Sequence, residues 1–269
     1  MHLTASLVLY GNANVVFEAA IASFLQGGAH GVLFVVDNSP VPLTSAWFQH
    51  ERVRYHHAGR NLGFGAGHNM AIRELSSGGA HLLLNPDIEF GAEVLPALCD
   101  ALSSDPGTVA LMPRIVYPDG APQRLCKLLP TPLDLFARRF LPWQDMKTRL
   151  NAVYELHALP QNRSSVVPSL SGCMLLARTD DLLAIGGFDE RYFMYMEDVD
   201  LVRRLGDRGA TRYLPSVSAF HGYGKGSYRN RRLLGYHLAS AVRYFNKWGW
   251  FFDATRRQRN QACKRALGL

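Results

Sequence analysis

Long apolar runs are missing from this chain: nothing approaches the roughly 18 consecutive apolar residues of a membrane-spanning helix. Its first apolar stretch, residues 3–10, has neither the basic start nor the cleavage site of a secretory leader. A cytoplasmic protein is therefore expected. Cysteine is scarce too. Cys99, Cys126, Cys173 and Cys263 stand far apart with no C-x-x-C, which excludes a disulfide framework or zinc ribbon and leaves buried free thiols. The glycine-rich loop at 59–69 lacks the third glycine of a dinucleotide fingerprint, because His68 stands where it would be needed, and no acid follows at the expected distance on a second strand. That counts against a nicotinamide- or flavin-dependent enzyme. Acid is nearly absent from the tail: beyond residue 228, ten Lys or Arg face Asp253 alone, a net +9, while residues 1–228 carry −2.

What is present suits a globular α/β protein. With 269 residues and 48% hydrophobic content, the chain can bury one large core or two small ones. The stretch His81-Leu82-Leu83-Leu84-Asn85-Pro86-Asp87 reads as a short strand buried on both faces, with a turn before it and a sharp exit after it. Ligands bind beyond the carboxyl ends of parallel strands, so Asp87 stands where a cofactor or metal would be met; otherwise Asn85 and Asp87 form only an Asx-type turn. A second carboxylate, Asp37, ends the apolar strand at 32–36. The sequence Gly-Gly-Ala-His precedes both strands, at 27–30 and 78–81, as in two similar βα units.

Further strands are expected at 3–10, 53–56, 109–112, 166–177 and 217–220. Helices are expected at 15–25, capped by Asn14, at 66–75, at 92–102, and after a cap at Thr179 or Asp180. The loop Gly59-Arg60-Asn61-Leu62-Gly63-Phe64-Gly65-Ala66-Gly67-His68-Asn69 opens a helix and can bring backbone N–H groups to a phosphate. Residues 121–165 hold scattered prolines and read as an irregular binding segment or lid. An aromatic run at 192–195 leads into Glu197, Asp198 and Asp200 at the start of a helix through Leu205. Dipole-complementing acids account for one or two of these; all three behind aromatics suggest a walled pocket with a catalytic base. His221 ends an apolar strand and opens a glycine-rich basic loop, which suits a phosphate or metal role.

In the tail, Leu234, Leu238, Ala241, Phe245 and Trp248 line one helical face, with Arg232, Arg243 and Lys247 opposite. That face either docks on the catalytic domain or lies in a membrane interface. The basic residues would add about 1 kcal/mol each at an anionic leaflet. No nucleic-acid motif accompanies them, so nucleic acid is not an expected partner.

Together these segments resemble the family 2 inverting glycosyltransferases of the GT-A fold, and among them bacterial rhamnosyltransferases of lipopolysaccharide and related surface glycans. The matching motifs are VVDNSP at 35–40, NLGFGAGHN at 61–69, LLLNPD at 82–87, SGCMLLAR at 171–178, GGFDERYFMYMEDVDLVRR at 186–204 and FHGYGKGS at 220–227, in the family's order.

The resemblance implies a Rossmann-like α/β fold with a mostly parallel central sheet and a C-terminal amphipathic helical tail. Its domains would be a catalytic domain over 1–228, with a donor half 1–112 and an acceptor half 113–228, and a basic segment 229–269. It implies a nucleotide-sugar donor, foremost dTDP-L-rhamnose, and a glycan or glycolipid acceptor of the lipopolysaccharide or O-antigen type. Asp37 would accept from the pyrimidine N–H, and Asn61, Gly63, Phe64, Gly65, Asn69, Asn85 and Lys225 would hold the donor. Asp87 matches the second acid of the family's D-x-D motif, Asn85 replaces the first, and His221 joins Asp87 on a divalent cation, Mg2+ or Mn2+. Asp198 matches the base, with Glu197 and Asp200 positioning it or the acceptor. Such an enzyme would sit peripherally on the cytoplasmic face of the inner membrane. The alternatives are a transferase for another UDP- or dTDP-hexose and a nucleotide-sugar-binding protein without turnover.

Overall fold

The computed structural model of the protein describes residues 1–28, 30–135, 143–222 and 231–269. In chain order the elements are β1 (Leu3–Leu9), α1 (Asn14–Gly27), β2 (Val32–Asp37), β3 (Val53–His57), α2 (Phe64–Ile72), β4 (Ala80–Leu84), β5 (Ile88–Phe90), α3 (Val94–Ser104) and β6 (Thr108–Val116). There follow α4 (Pro132–Leu135), α5 (Gln144–Tyr154), β7 (Ser165–Val166), β8 (Met174–Arg178), α6 (Thr179–Ala184), α7 (Glu197–Leu205), β9 (Ala210–His221), α8 (Arg231–Trp248) and α9 (Ala254–Leu267). One largely parallel sheet runs β3-β2-β1-β4-β8-β6-β9-β5, with β7 on β9. The β3-β2-β1-β4 half is wholly parallel, and β8 enters antiparallel between β4 and β6.

The three leucines of β4 show why the sheet is central. Leu82 and Leu84 point into the core formed with α1 and α3, and Leu83 points into the core beneath α2 and α7. All three are fully buried. A strand with helices on both faces must be apolar at every position, which is why the run does not alternate.

A buried hydrogen-bonded chain crosses this half of the sheet. The Thr4 hydroxyl donates to Ala80 O, so it accepts from His81 Nδ1 at 2.8 Å. His81 Nε2 then accepts from the Ser6 hydroxyl at 2.8 Å, and Ser6 accepts from His68 Nδ1 at 2.7 Å. One threonine thereby sets both tautomers. Burial holds both imidazoles neutral, with pKa values near 3, and His81 adds to the effect at His68.

Several local expectations are corrected. Asn14 is the first residue of α1 rather than its cap, and its amide donates to Thr44 O at 2.7 Å. The stretch 166–177 is not one strand: Pro168 lacks a ladder N–H, and a turn through Gly172 separates β7 from β8. The strand expected at 217–220 is the end of the longer β9, whose pairing with β6 shifts register between Leu214 and Ser218, where Pro215 sits. The segment 121–165 contains the helix α5, in which only Tyr154 is buried, so no apolar period announced it.

The tail docks on the domain. Ser240, Ala241, Tyr244 and Phe245 of α8 are buried, and the Arg203 guanidinium stacks 4.1 Å over the Trp248 ring. Arg203 also donates twice to Asp253, at 2.6 and 2.8 Å, and that pair is almost completely sealed from water. Asp253 in turn caps α9 by accepting from the Arg256 N–H. Removing one member of a buried pair strands the other charge, so Arg203→Met is expected to cost at least about 3 kcal/mol in urea unfolding. Arg203→Met with Asp253→Leu should recover most of that loss. A single-variant cost below about 1 kcal/mol would show that the pair does not hold the tail.

Candidate active site

The carboxyl ends of β2 and β4, the turn before β8, the start of α7 and the end of β9 converge at one edge of the sheet. Because β8 runs antiparallel to β4, with Leu84 opposite Met174, the turn Ser171-Gly172-Cys173 lies against the exit of β4. There Asn85 N–H donates to Cys173 O at 2.8 Å. On its other side the Gly172 N–H donates to Asp198 Oδ2 at 3.2 Å. A side chain at 172 would meet the Asp198 Cβ at 3.1 Å, so only glycine lets the turn lie this close. Asp198 Oδ1 accepts from Val199 N–H at 2.8 Å. The turn therefore ties the strand ending in Asn85 to the first turn of α7.

Asp198 and Glu197 line a cleft of about 600 Å³, with Lys127, Tyr154, Ser169, Tyr195, Leu234 and His237 among the other walls. Burial, with the neighbouring Asp198 charge, pushes the Glu197 acid up to about 8. Burial raises Asp198 as well, but the Gly172 and Val199 N–H groups and Lys127 favour its charged form. Backbone N–H groups favour the charged form of both members, and Lys127 adds to them only at Asp198, so a shared proton stays on Glu197.

The turn that presents this pair is strained. Tyr195 and Met196 both have left-handed backbone, at φ 67° and 65°. Helix α8 holds the turn from behind: the Ser240 hydroxyl donates to Met194 O, Tyr195 meets the His237 ring edge-on at 5.3 Å, and Phe193 packs on Tyr236 at 4.7 Å. Asp200 belongs to this brace. It is fully buried and accepts from Arg204 at 2.8 Å and from Trp248 and Lys247 at 2.7 Å. A direct contact with acceptor is closed to Asp200, because both its oxygens anchor α7 and α8.

Beyond β4, His221 comes to Asp87 because β9 ends beside β5, with Ile88 opposite His221, and its Nε2 lies 3.2 Å from Asp87 Oδ1. Gln123 Nε2 donates to His221 O, which leaves Gln123 Oε1 to accept from His221 Nδ1 at 2.9 Å. Gln123 thus holds Nδ1 and turns Nε2 toward the Asp87 carboxylate, as an outer partner orients a histidine that can ligate a metal. Asn85 Oδ1, two residues before Asp87, is buried without a partner among the described residues. One carboxylate, one imidazole and one amide oxygen suit a divalent cation that takes its other ligands from water and phosphate. No larger His, Cys, Asp or Glu cluster occurs among the described residues.

The glycine loop sits across from these groups. Gly63, at φ 90°, receives the Asn61 side chain on its N–H at 3.0 Å, and the Phe64 N–H donates to Phe193 O at 3.1 Å. A Cβ on Gly63 would lie 2.3 Å from that same carbonyl, and one on Gly65 would strike Phe188. Gly63→Ala is expected to cost about 2 kcal/mol and to weaken donor binding, because both the left-handed backbone and the contact forbid a side chain. Donor protection unchanged in a thermal melt of that variant would contradict this.

Two residues expected at the donor are engaged by the protein itself. Asn69 is buried with its amide fully used: Oδ1 accepts from Phe188 N–H, and Nδ2 donates to Phe188 O and Glu190. It fastens α2 to the 187–190 loop instead of facing a ligand. Asp37 is also sealed, accepting from the Ser39 N–H at 2.9 Å, the Leu43 N–H at 2.8 Å and the Tyr55 hydroxyl at 2.7 Å. These donors hold its carboxyl below the usual range against burial. Its carboxylate organises the 38–43 loop through these three donors. Lys225 lies outside the described residues. The sequence reading missed Gln123, which carries no short-range signal, and Lys127, hidden in the segment read as irregular.

No family model matches the chain. Over 185 residues it is 36% identical to the N-acetylglucosaminyl-diphospho-decaprenol L-rhamnosyltransferase of Mycobacterium tuberculosis, a match covering 64% of this chain and 60% of that protein. The chain thus spans less than two thirds of this relative's length. Among solved structures, GalNAc-T7 with UDP, GalNAc and Mn2+ superposes with a TM-score of 0.61 at 12% identity, over 97% of this chain and 51% of that one. The fold is that of the GT-A glycosyltransferases. A second GT-A likeness is to the mannosyltransferase PcManGT from Pyrobaculum calidifontis in complex with GDP-Man and Mn2+, with a TM-score of 0.57 at 15% identity over 99% of this chain and 75% of that one. Both GT-A neighbours hold Mn2+ and a nucleotide or nucleotide sugar, and the sequence relative is a rhamnosyltransferase by name.

Proposed function

We propose that this GT-A chain transfers L-rhamnose from dTDP-L-rhamnose, with inversion, to a hydroxyl of a lipid-linked or surface-glycan acceptor. The observation that carries the reading is the Glu197–Asp198 pair on the cleft wall, with Asp198 held by the Gly172 N–H beside the strand end that carries Asn85 and Asp87. The acceptor hydroxyl gives its proton to Asp198 as its oxygen attacks C1 of the sugar. As that C–O bond forms, the bond from C1 to the diphosphate oxygen breaks from the opposite face, and one displacement inverts the centre. No covalent nucleophile is needed. A divalent cation held by Asp87 and His221 supplies positive charge to the departing diphosphate. Asn61, Gly63, Phe64 and Gly65 form the donor-side wall, with Lys225 kept as a further donor contact.

The acceptor class follows the sequence relative, whose name places the sugar on a diphospho-lipid. A membrane-facing orientation agrees with this. Leu238 and Val242, one turn apart on α8, are exposed, as are Leu133, Trp143 and Met146 near the cleft walls Asp134 and Lys147. No helix among the described residues is long and apolar enough to cross a membrane, so attachment would be peripheral, on the cytoplasmic face of the inner membrane.

Thermal protection by a panel of nucleotide sugars, with Mg2+, Mn2+ or chelator, tests the donor. Metal-dependent protection by dTDP-L-rhamnose above the UDP-hexoses is expected. Equal protection by a UDP-hexose would replace the sugar, and protection by none would remove the transferase reading.

A further inference from the structure

Most of the tail's apolar stripe is covered by the domain, so the stripe is not what meets lipid. What stays uncovered lies outside it, at the turn between α8 and α9, where Phe251 is 75% exposed and Phe252 91%. These rings are held in place. Gly249 takes φ 97° and its N–H donates to Phe245 O at 2.8 Å, while the Arg256 guanidinium donates to Gly249 O at 3.3 Å and to Trp250 O at 3.0 Å. Asp253 closes the turn on Arg203. A turn tied at both ends that still stands two phenylalanines in water marks a surface covered by another apolar phase.

Beside Phe251 a groove of about 260 Å³ runs along α9. Arg257, Gln261 and Lys264, at i, i+4 and i+7, share the helix face that lines it. Neither Arg257 nor Lys264 has a carboxylate partner among the described residues. Asp253 also reaches the groove wall, but its charge is met by Arg203 at 2.6 Å and by Arg256 at 3.8 Å. The groove adjoins the catalytic cleft: Thr131 lines the groove, Asp134 and Leu135 line the cleft, and Leu133 between them is exposed.

We propose that the turn between α8 and α9 and the groove beside it form a site for an anionic phospholipid: Phe251 and Phe252 enter the acyl region, and Arg257 and Lys264 hold the head-group phosphate. The inference rests on the peripheral attachment proposed above and gives it a site. Cations without carboxylates next to exposed rings match a phosphate carried on an apolar tail; a soluble phosphate would leave the rings in water. Single-stranded nucleic acid also pairs phosphates with rings, but Leu133, Leu238 and Val242 are exposed here too, and aliphatic side chains give a base no ring to stack on. With the groove on the leaflet, the cleft next to it opens close to the lipid surface.

Co-sedimentation of the full chain with vesicles of phosphatidylcholine, alone or with about 30% phosphatidylglycerol, tests this. Wild type is expected to bind the anionic vesicles and not the neutral ones. Arg257→Gln with Lys264→Gln should weaken binding roughly 30-fold, each cation near an anionic leaflet accounting for about fivefold. Phe251→Ser with Phe252→Ser should weaken it by at least about tenfold. Both variants should keep the wild-type melting temperature and donor protection, since the exchanged side chains face outward. Arg54→Gln with Arg73→Gln removes the same charge from two exposed positions on β3 and after α2, and should change binding less than about threefold, because distant surface charges are screened. Equal weakening by the two charge variants, or full binding by the phenylalanine variant, would overturn the site and leave peripheral attachment standing. Wild type that ignores anionic vesicles would remove the attachment and the site together. Capture of single-stranded DNA in place of vesicles, lost with Arg257 and Lys264, would overturn the lipid and put nucleic acid there.

Discussion

Asp198→Asn is expected to lower kcat roughly 10³-fold while leaving donor binding in place, because general-base catalysis contributes about 10² to 10⁴. Asparagine has the same shape, and its amide oxygen can still accept from the Gly172 N–H that holds Oδ2 at 3.2 Å. What it lacks is a lone pair able to take a proton near neutral pH. The charge at this position is supported by Gly172, Val199 and Lys127 against burial, so those supports, and not exposure to water, make Asp198 the basic member of the pair. Initial rates of rhamnosyl transfer and thermal protection by dTDP-L-rhamnose, measured on the same preparation, check both halves. A kcat within threefold of wild type would remove Asp198 from the chemistry.

Acid should destabilise the protein well before its surface carboxylates are protonated. His68 and His81 are buried and neutral, with pKa values near 3 in the fold against 6.5 for a free imidazole. Below about pH 6.5 the unfolded chain binds two protons that the folded chain refuses, so stability falls as pH drops and goes on falling toward pH 3. The slope for two such groups is about 2.7 kcal/mol per pH unit. Glu197, which the fold keeps protonated up to about pH 8, titrates the other way and returns about half of it, so two units of acidification cost about 2 kcal/mol net. That is still a measurable share of the 5–15 kcal/mol that typically holds a domain together. The hydrogen-bond chain explains why neither imidazole can yield. With Thr4 committed to Ala80 O, a proton on His81 Nε2 would confront the Ser6 hydroxyl proton, and His68 Nε2 has no acceptor among the described residues. Asp37 and Asp253, held below their usual range by hydrogen bonds against burial, add their own loss only below about pH 4. Urea midpoints between pH 7.5 and 4.5 measure the slope. His68→Leu should lower the slope by about 1.4 kcal/mol per pH unit, whatever that variant's own stability. A flat profile between pH 6.5 and 5 would contradict the account.

The sequence was most legible where local pattern and fold agree. The LLL run, bounded by glycines and ended by Asn-Pro-Asp, announces a doubly covered strand with a ligand end, and β4 is that strand. The approach at Gly172 was readable too, since glycine inside an apolar stretch marks close backbone contact. What could not be read was how side chains 50 to 100 residues apart meet. Nothing local says that Gln123 orients the His221 ring across 98 residues, or that Asp200, third in an acidic cluster, turns inward to Trp248. Asp37 and Asn69 sit in motifs that look ligand-facing, yet each was claimed by neighbours in the fold. The tail held two open readings because an apolar stripe has no address. Its Tyr244 and Phe245 face is covered by the domain, and Phe251 and Phe252 stay exposed at the turn between α8 and α9.

The central claim is a metal-assisted inverting transfer with Asp198 as base, and the product's anomeric configuration tests it most directly. Purified protein would be given dTDP-L-rhamnose and an N-acetylglucosaminyl diphosphoprenol, with Mg2+, Mn2+ or chelator, and the product examined by NMR. The account predicts a product of inverted configuration, formed only with a divalent cation and lost in Asp198→Asn. A retained configuration, or an undiminished yield from Asp198→Asn, would contradict it.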